Sequence, residues 1–177
     1  MTKIDNAVIG IDPGKSGCLY AIDIKTQNTL SFHDIKKIGT NIDINGIVKF
    51  LSQFNPETCF VITEDPHPHG AKDEVKSVYG GFEYGKSVGI IYGAVVGMFF
   101  KMHRVSPVAW KGYFALCSSK STYLERKKLS VEKACYLHPT GADTFYTQHL
   151  TRRVLKHDRA ESFLIALYFL QKLYHAD

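Results

Sequence analysis

Four acidic side chains stand where solubility alone explains them poorly. Asp12 ends the apolar run 7–11, and Glu64 ends the β-branched run 58–63. Asp158 and Glu161 open the last helical stretch, three residues apart and so on one face. Ligands gather at strand ends in α/β sheets. Four carboxylates collected there repel one another unless cations sit between them. Hard oxygen donors suit Mg²⁺ or Mn²⁺. Two such ions, about 4 Å apart, can activate a water and stabilise the leaving oxygen of a phosphodiester. Singly, each acid has a plainer use: Asp12 before Pro13-Gly14 as a turn residue, Glu64 as a surface acid, Asp158 and Glu161 as acids favoured by a helix dipole. Their joint placement is what argues for a site.

The elements that must position these acids read as follows. Runs 7–11, 18–24 and 30–35 predict three strands in a meander, with a hairpin turn at 26–28. Asp43 caps a helix whose apolar residues Ile44, Ile47, Val48, Leu51 and Phe54 recur at helical spacing. A fourth strand covers 58–63. Residues 65–84, broken by Pro and Gly, predict a long mobile loop of the kind that carries function. A Gly- and Ala-rich helix follows over 86–102, then a strand over 104–108. Short helices over 110–116 and 130–137 flank a Lys/Ser-rich loop, 138–156 is irregular and basic, and 157–174 is a closing helix. This order predicts one α/β domain spanning 1–177, with a mixed sheet flanked by helices.

Composition narrows the function. The chain has 177 residues, 45% hydrophobic and 22% charged, which suits one globular domain and excludes collagen, coiled coil or wholesale disorder. Residues 1–100 hold 9 Lys and Arg against 11 Asp and Glu, whereas 101–177 hold 13 against 6. The basic second half fits a polyanionic partner. Cys18, Cys59, Cys117 and Cys135 form no CxxC pair and no zinc spacing, so free thiols in a reducing, cytoplasmic compartment are expected. The longest apolar stretch, 88–102, is too short and Gly-rich for a membrane span.

The segments VIGIDPGKSG (8–17), VITED (61–65), YGGFEYGKSVGIIYGAVVG (79–97), VSPVAWK (105–111) and HDRAESFLIALY (157–168) together resemble RuvC-type Holliday junction resolvases, most closely the phage and phage-like branch. The resemblance spans nearly the whole chain. It implies an RNase H-like fold with a mixed five-stranded sheet. It also implies a homodimer, and symmetric cutting of four-way DNA junctions with Mg²⁺ or Mn²⁺, two ions per site. By position, Asp12 would bridge the metals, Glu64 would be the second ligand, and Asp158 with Glu161 would complete the set. Glu161 has a longer arm than the Asp common in bacterial members, which leaves the metal geometry open. His157 would either assist the water or a metal, or cap the helix.

The same resemblance places Lys111 and Lys120 near the DNA phosphates, where a Lys can stabilise charge on the reacting phosphorus. Arg126, Lys127, Lys128, Arg152, Arg153 and Lys156 would supply further phosphate contacts. Phe82 and Tyr84 fall where the family has a mobile loop and helix start near the junction centre; either could wedge against unstacked bases or pack under the loop. A broader branched-DNA nuclease or an RNA–DNA hybrid nuclease of the same fold remains an alternative. A remoter one is a P-loop NTPase, because 80–87 fits G-x-x-x-x-G-K-[ST]. No apolar strand ending in Asp follows at a Walker B position, so no nucleotide cofactor is expected. His67-Pro68-His69 reads as surface loop rather than a metal site.

Overall fold

The architecture comes from a computed structural model that describes residues 2–14, 16–65, 78–116, 122–149 and 152–174. Strands β1 (Ala7–Asp12), β2 (Cys18–Asp23) and β3 (Thr29–Asp34) form the expected antiparallel meander. A two-residue hairpin, β4 (Lys37–Ile38) and β5 (Asn41–Ile42), leads into helix α1 (Ile44–Leu51). Asp43 caps α1 as its sequence predicts, accepting the Gly46 N–H at 3.0 Å. Strand β6 (Phe60–Glu64) pairs parallel to β1, and β7 (Lys101–Val105) parallel to β6. The five-stranded sheet therefore runs β3-β2-β1-β6-β7, mixed and flanked by helices on both faces.

Alternation along the strands sorts the core into two layers. Ala7, Ile9, Ile11 and Val61 pack with α1 and with Ile91 and Val95 of α2 (Val78–Gly97). Val8 and Ile62 face the other way, onto Ala160, Phe163, Leu164 and Leu167 of α5 (His157–Tyr168). The same period sends Gly10, Asp12 and Glu64 toward α5. Gly10 is where the sheet and α5 meet most closely: a Cβ there would lie 2.0 Å from the Ser162 carbonyl oxygen and 2.7 Å from the Ala166 nitrogen.

Several element boundaries differ from the sequence reading. Helix α2 starts at Val78, so 78–84 are helical rather than loop; residues 66–77, including the His67-Pro68-His69 motif, lie outside the described residues. Residues 80–87 are thus interior to a helix and make no strand-to-helix phosphate loop, which removes the structural context a P-loop needs. Strand β7 ends at Val105 because Ser106 caps, and Pro107 starts, helix α3 (Pro107–Tyr113). Helix α4 (Tyr123–Leu137) begins seven residues before the predicted helix, set by a capping box in which Thr122 and Glu125 bind each other's backbone N–H. The segment read as irregular holds a 3₁₀ turn (Pro139–Phe145) and a hairpin, β8 (Tyr146–His149) with β9 (Arg152–Leu155). The closing helix passes into a π-helical turn (Phe169–Leu173). No described helix is long and apolar enough to cross a membrane.

One ion pair fixes the start of α5. Arg159 grips Asp34 at the end of β3 with a two-pronged fork, Nε to Oδ1 at 2.7 Å and Nη2 to Oδ2 at 2.6 Å. Its Nη1 also donates to the Thr144 carbonyl at 2.9 Å, and its guanidinium lies 4.2 Å from the Phe32 ring centre. Burial pushes the Asp34 carboxyl up, but the Arg159 hydrogen bonds and charge outweigh it and hold it below its ordinary range. The resulting stability is present above the ordinary carboxylate range and is lost as pH falls toward the lowered value. Arg159→Ala is expected to cost about 2–3 kcal/mol in urea unfolding at neutral pH, less than a fully dry pair because Asp34 keeps some water. The penalty should shrink at acid pH.

Candidate active site

The structure brings the strand ends and the start of α5 together around Asp12. The link is Ser162, one turn into α5. Its Oγ accepts the Asp12 backbone N–H at 3.1 Å and lies 2.8 Å from the Cys18 carbonyl and 2.7 Å from the Asp158 carbonyl. One buried hydroxyl therefore ties β1, β2 and the first turn of α5. Burial pushes the Asp12 carboxyl well above its usual range, and the charges of Glu161, Glu64 and Asp158 push it further; Lys111 opposes them. Glu64 is raised too, first by burial, with Lys111 and Trp110 pulling it back. Three of the acids named from the sequence thus act on the fourth, Asp12.

Neighbours fix their orientations. The buried Trp110 donates its indole N–H to Glu64 Oε2 at 2.7 Å. The Ser130 hydroxyl donates to Glu161 Oε1 at 3.0 Å. The Lys111 ammonium stands 3.6 Å from Glu64 Oε2 and 3.6 Å from Glu161 Oε2. Burial pulls Lys111 down, yet Glu161, Glu64 and Asp12 outweigh it and hold it above its ordinary value. Asp158 turns toward His157, whose Nε2 lies 2.8 Å from its Oδ1. His157 does not cap α5: the cap position is Lys156, and no side chain caps there.

Among the described residues no group of three or more His, Cys, Asp or Glu is arranged to hold a metal ion, since Lys111 spans Glu64 and Glu161 while Asp158 faces His157. The donor set itself fits a hard divalent cation. It offers carboxylate oxygens only, and its central acid, Asp12, is raised by burial and by three like charges against one ammonium. Asp12, Glu64, Asp158 and Glu161 are the residues that would hold Mg²⁺ or Mn²⁺.

The remaining named residues fall into separate places. Lys111 is inside the acidic site. Arg126, Lys127 and Lys128 lie on α4, with Lys127 over the Tyr123 ring at 4.3 Å and Lys128 3.5 Å from Glu132. Arg152 and Arg153 lie on β9, where Arg153 stacks 3.8 Å from the Tyr146 ring centre and pairs with Asp143. Lys156 sits at the head of α5, 3.7 Å from Asp34. Lys120 lies outside the described residues. Phe82 and Tyr84 are on the first turns of α2, not on a loop. Phe82 is 66% exposed, whereas burial and the charges of Asp12 and Glu64 push the Tyr84 hydroxyl up to about 12. Tyr84 is itself 39% exposed, and its hydroxyl lies within the field of the acids. Sequence reading missed Trp110, Ser130, Arg159 and Ser162; only Arg159 and Ser162 carried a signal, by falling within one turn of Asp158 and Glu161.

No family model matches the chain, and no curated protein matches it in sequence. Solved structures do match. Thermus thermophilus RuvC in complex with a Holliday junction substrate aligns with a TM-score of 0.61 at 15% identity, over 93% of this chain and 94% of that one. A second structure of Thermus thermophilus RuvC aligns with a TM-score of 0.60 at 14% identity, over 93% of this chain and 95% of that one. The chain therefore has the RuvC-like, RNase H-like fold.

Proposed function

We propose that this protein is a structure-selective DNA endonuclease that resolves four-way junctions by divalent-metal-dependent phosphodiester hydrolysis. The observation that carries the reading is the meeting of Glu64, Asp158 and Glu161 around the half-buried Asp12 carboxyl in a fold shared with RuvC. In this reading the four acids hold Mg²⁺ or Mn²⁺, two ions per site. The bound cations would supply Lewis-acid polarisation and a more acidic water. The chain's own residues do the rest. Trp110 and Ser130 hold the two glutamates in place, and Ser162 fixes Asp12 against α5. The basic residues of α4 and of the β9–α5 junction hold the phosphate backbone. Attack is in line, leaving 5′-phosphate and 3′-hydroxyl ends. A homodimer would present two sites to two opposed strands, and membership of the phage-like branch is part of the proposal. The compartment proposed is a reducing bacterial or phage-infected cytoplasm, consistent with free Cys18, Cys59 and Cys135.

The test is a set of parallel digests with Mg²⁺ or Mn²⁺: mobile four-way junction, three-way junction, flap, RNA–DNA hybrid and linear duplex. Paired nicks in the four-way junction, with linear duplex left intact, are expected. Preferential cutting of the hybrid would favour the alternative nuclease, and no cutting of any nucleic acid would sink the reading. Junction affinity should also fall steeply with salt. Six to ten phosphate contacts weaken binding about 10³–10⁵-fold between 50 and 200 mM, and a flat response would remove the phosphate-contact role from these residues.

A further inference from the structure

We propose that Lys111 is the resident counter-ion of the acidic site, and that a divalent cation must displace its ammonium from between Glu64 and Glu161 to bind. The inference rests on the reading that these acids hold metal, and it goes further by assigning a competitor for the same oxygens. The geometry is specific. The ammonium stands 3.6 Å from one oxygen of each glutamate. Trp110 and Ser130 already orient those two carboxylates, so Lys111 is not needed to aim them. What it supplies is positive charge at the centre of the cluster.

An ammonium and a divalent cation cannot share that gap, because like charges a few ångström apart repel strongly in a half-buried site. Lys111 is built to leave. Its neighbour Trp110 is fully buried and anchors α3, while the Lys111 side chain is 30% exposed on a flexible four-carbon stem. The head can swing to solvent without moving the helix. A phosphate arriving at the site would give the displaced ammonium a new partner, which couples cation loading to substrate. The acids are thereby held together without metal, and the cation threshold is raised until substrate is present.

Trp110 is the only tryptophan in the chain; its indole N–H rests on Glu64 and the Lys111 ammonium lies 4.9 Å from its ring centre, so its fluorescence reports on both groups. The experiment titrates Mg²⁺ into the full-length protein without DNA, following Trp110 emission and, independently, calorimetric heat. Lys111→Met is expected to bind Mg²⁺ about tenfold more tightly than wild type. Lys111→Gln should do the same, and provides the measurement if the methionine variant fails to fold. Lys111→Arg, which keeps the charge, should not tighten binding. Unchanged or weaker Mg²⁺ affinity in the neutral variants, with Asp12→Asn losing binding, would overturn this inference alone. Asp12→Asn binding Mg²⁺ as wild type does would instead overturn the metal reading beneath it.

Discussion

Gly10→Ala is expected to be among the most damaging single-methyl additions the protein can receive. The added carbon would sit 2.0 Å from the Ser162 carbonyl oxygen and 2.7 Å from the Ala166 nitrogen. Both are helix backbone, so no rotamer change relieves the clash, and α5 itself must lift off β1. That contact is the middle of the molecule: Val8 and Ile62 on one side and Ala160, Leu164 and Ala166 on the other are all fully buried. Overpacking of this kind costs typically about 1–3 kcal/mol and more when the backbone must move; about 3 kcal/mol or more is expected here. In a chain of this size that is a fall of roughly 6–12 °C in Tm. Circular dichroism melts of Gly10→Ala beside Ile9→Val, a cavity-forming control expected to cost about 0.5–1.5 kcal/mol, provide the check. A Gly10→Ala variant as stable as the control would mean that α5 does not pack on β1 as described. Any folded remnant should also lose activity, because lifting α5 carries Asp158 and Glu161 away from Asp12.

That coupling shows why some parts of the molecule are legible in the sequence and others are not. The strands β1, β2 and β6 announce themselves because each is buried on both faces or nearly so, and an acid that ends such a run stands out. Asp12 and Glu64 were visible for this reason, and Asp158 with Glu161 because helical spacing puts them on one face. Helix α2 was harder. Gly80, Gly81 and Gly85 have poor helix propensity and read as loop, yet the helix begins at Val78. Its stability comes from Ile91, Ala94 and Val95, which pack in the core with the sheet and override local preference. The front of α4 carried a readable signal, Thr122 followed three residues later by Glu125, but its polar composition masked it. Trp110 and Ser130 could not be read as site residues. Nothing local marks a tryptophan that donates to an acid 46 positions away, and only folding brings the two together. The resemblance places Lys111 near the DNA phosphates, and the structure sets it beside Glu64 and Glu161; residue type alone does not show which groups it faces.

Asp12→Asn is the variant expected to separate activity from stability most sharply, because the two should move in opposite directions. Cleavage of the four-way junction should fall by at least about 10³-fold, the scale expected when metal-assisted hydrolysis loses its central ligand. Junction binding in gel shift should be retained, since no basic residue is touched. Stability, in contrast, should rise. Burial pushes the Asp12 carboxyl well above its ordinary range, and Glu161, Glu64 and Asp158 add to the effect. An acid raised on folding destabilises the native state once pH passes the ordinary carboxylate range, because the unfolded chain gives up its proton first. The penalty grows with pH until the folded group ionises as well. At pH 7 without metal the wild type therefore carries that penalty, and the uncharged amide does not. A gain of about 1 kcal/mol would appear as a rise of roughly 2–4 °C in Tm for a chain of this length. The gain should vanish well below the ordinary carboxylate range, where the wild-type carboxyl is protonated in both states. It should shrink again with Mg²⁺, which would stabilise the wild type alone. A structural acid behaves otherwise: its removal lowers Tm and leaves cutting intact. Finding that pattern in Asp12→Asn would remove the catalytic assignment, whereas lost cutting joined to a higher melting point is the signature of a fold that tolerates strain to keep charge where chemistry needs it.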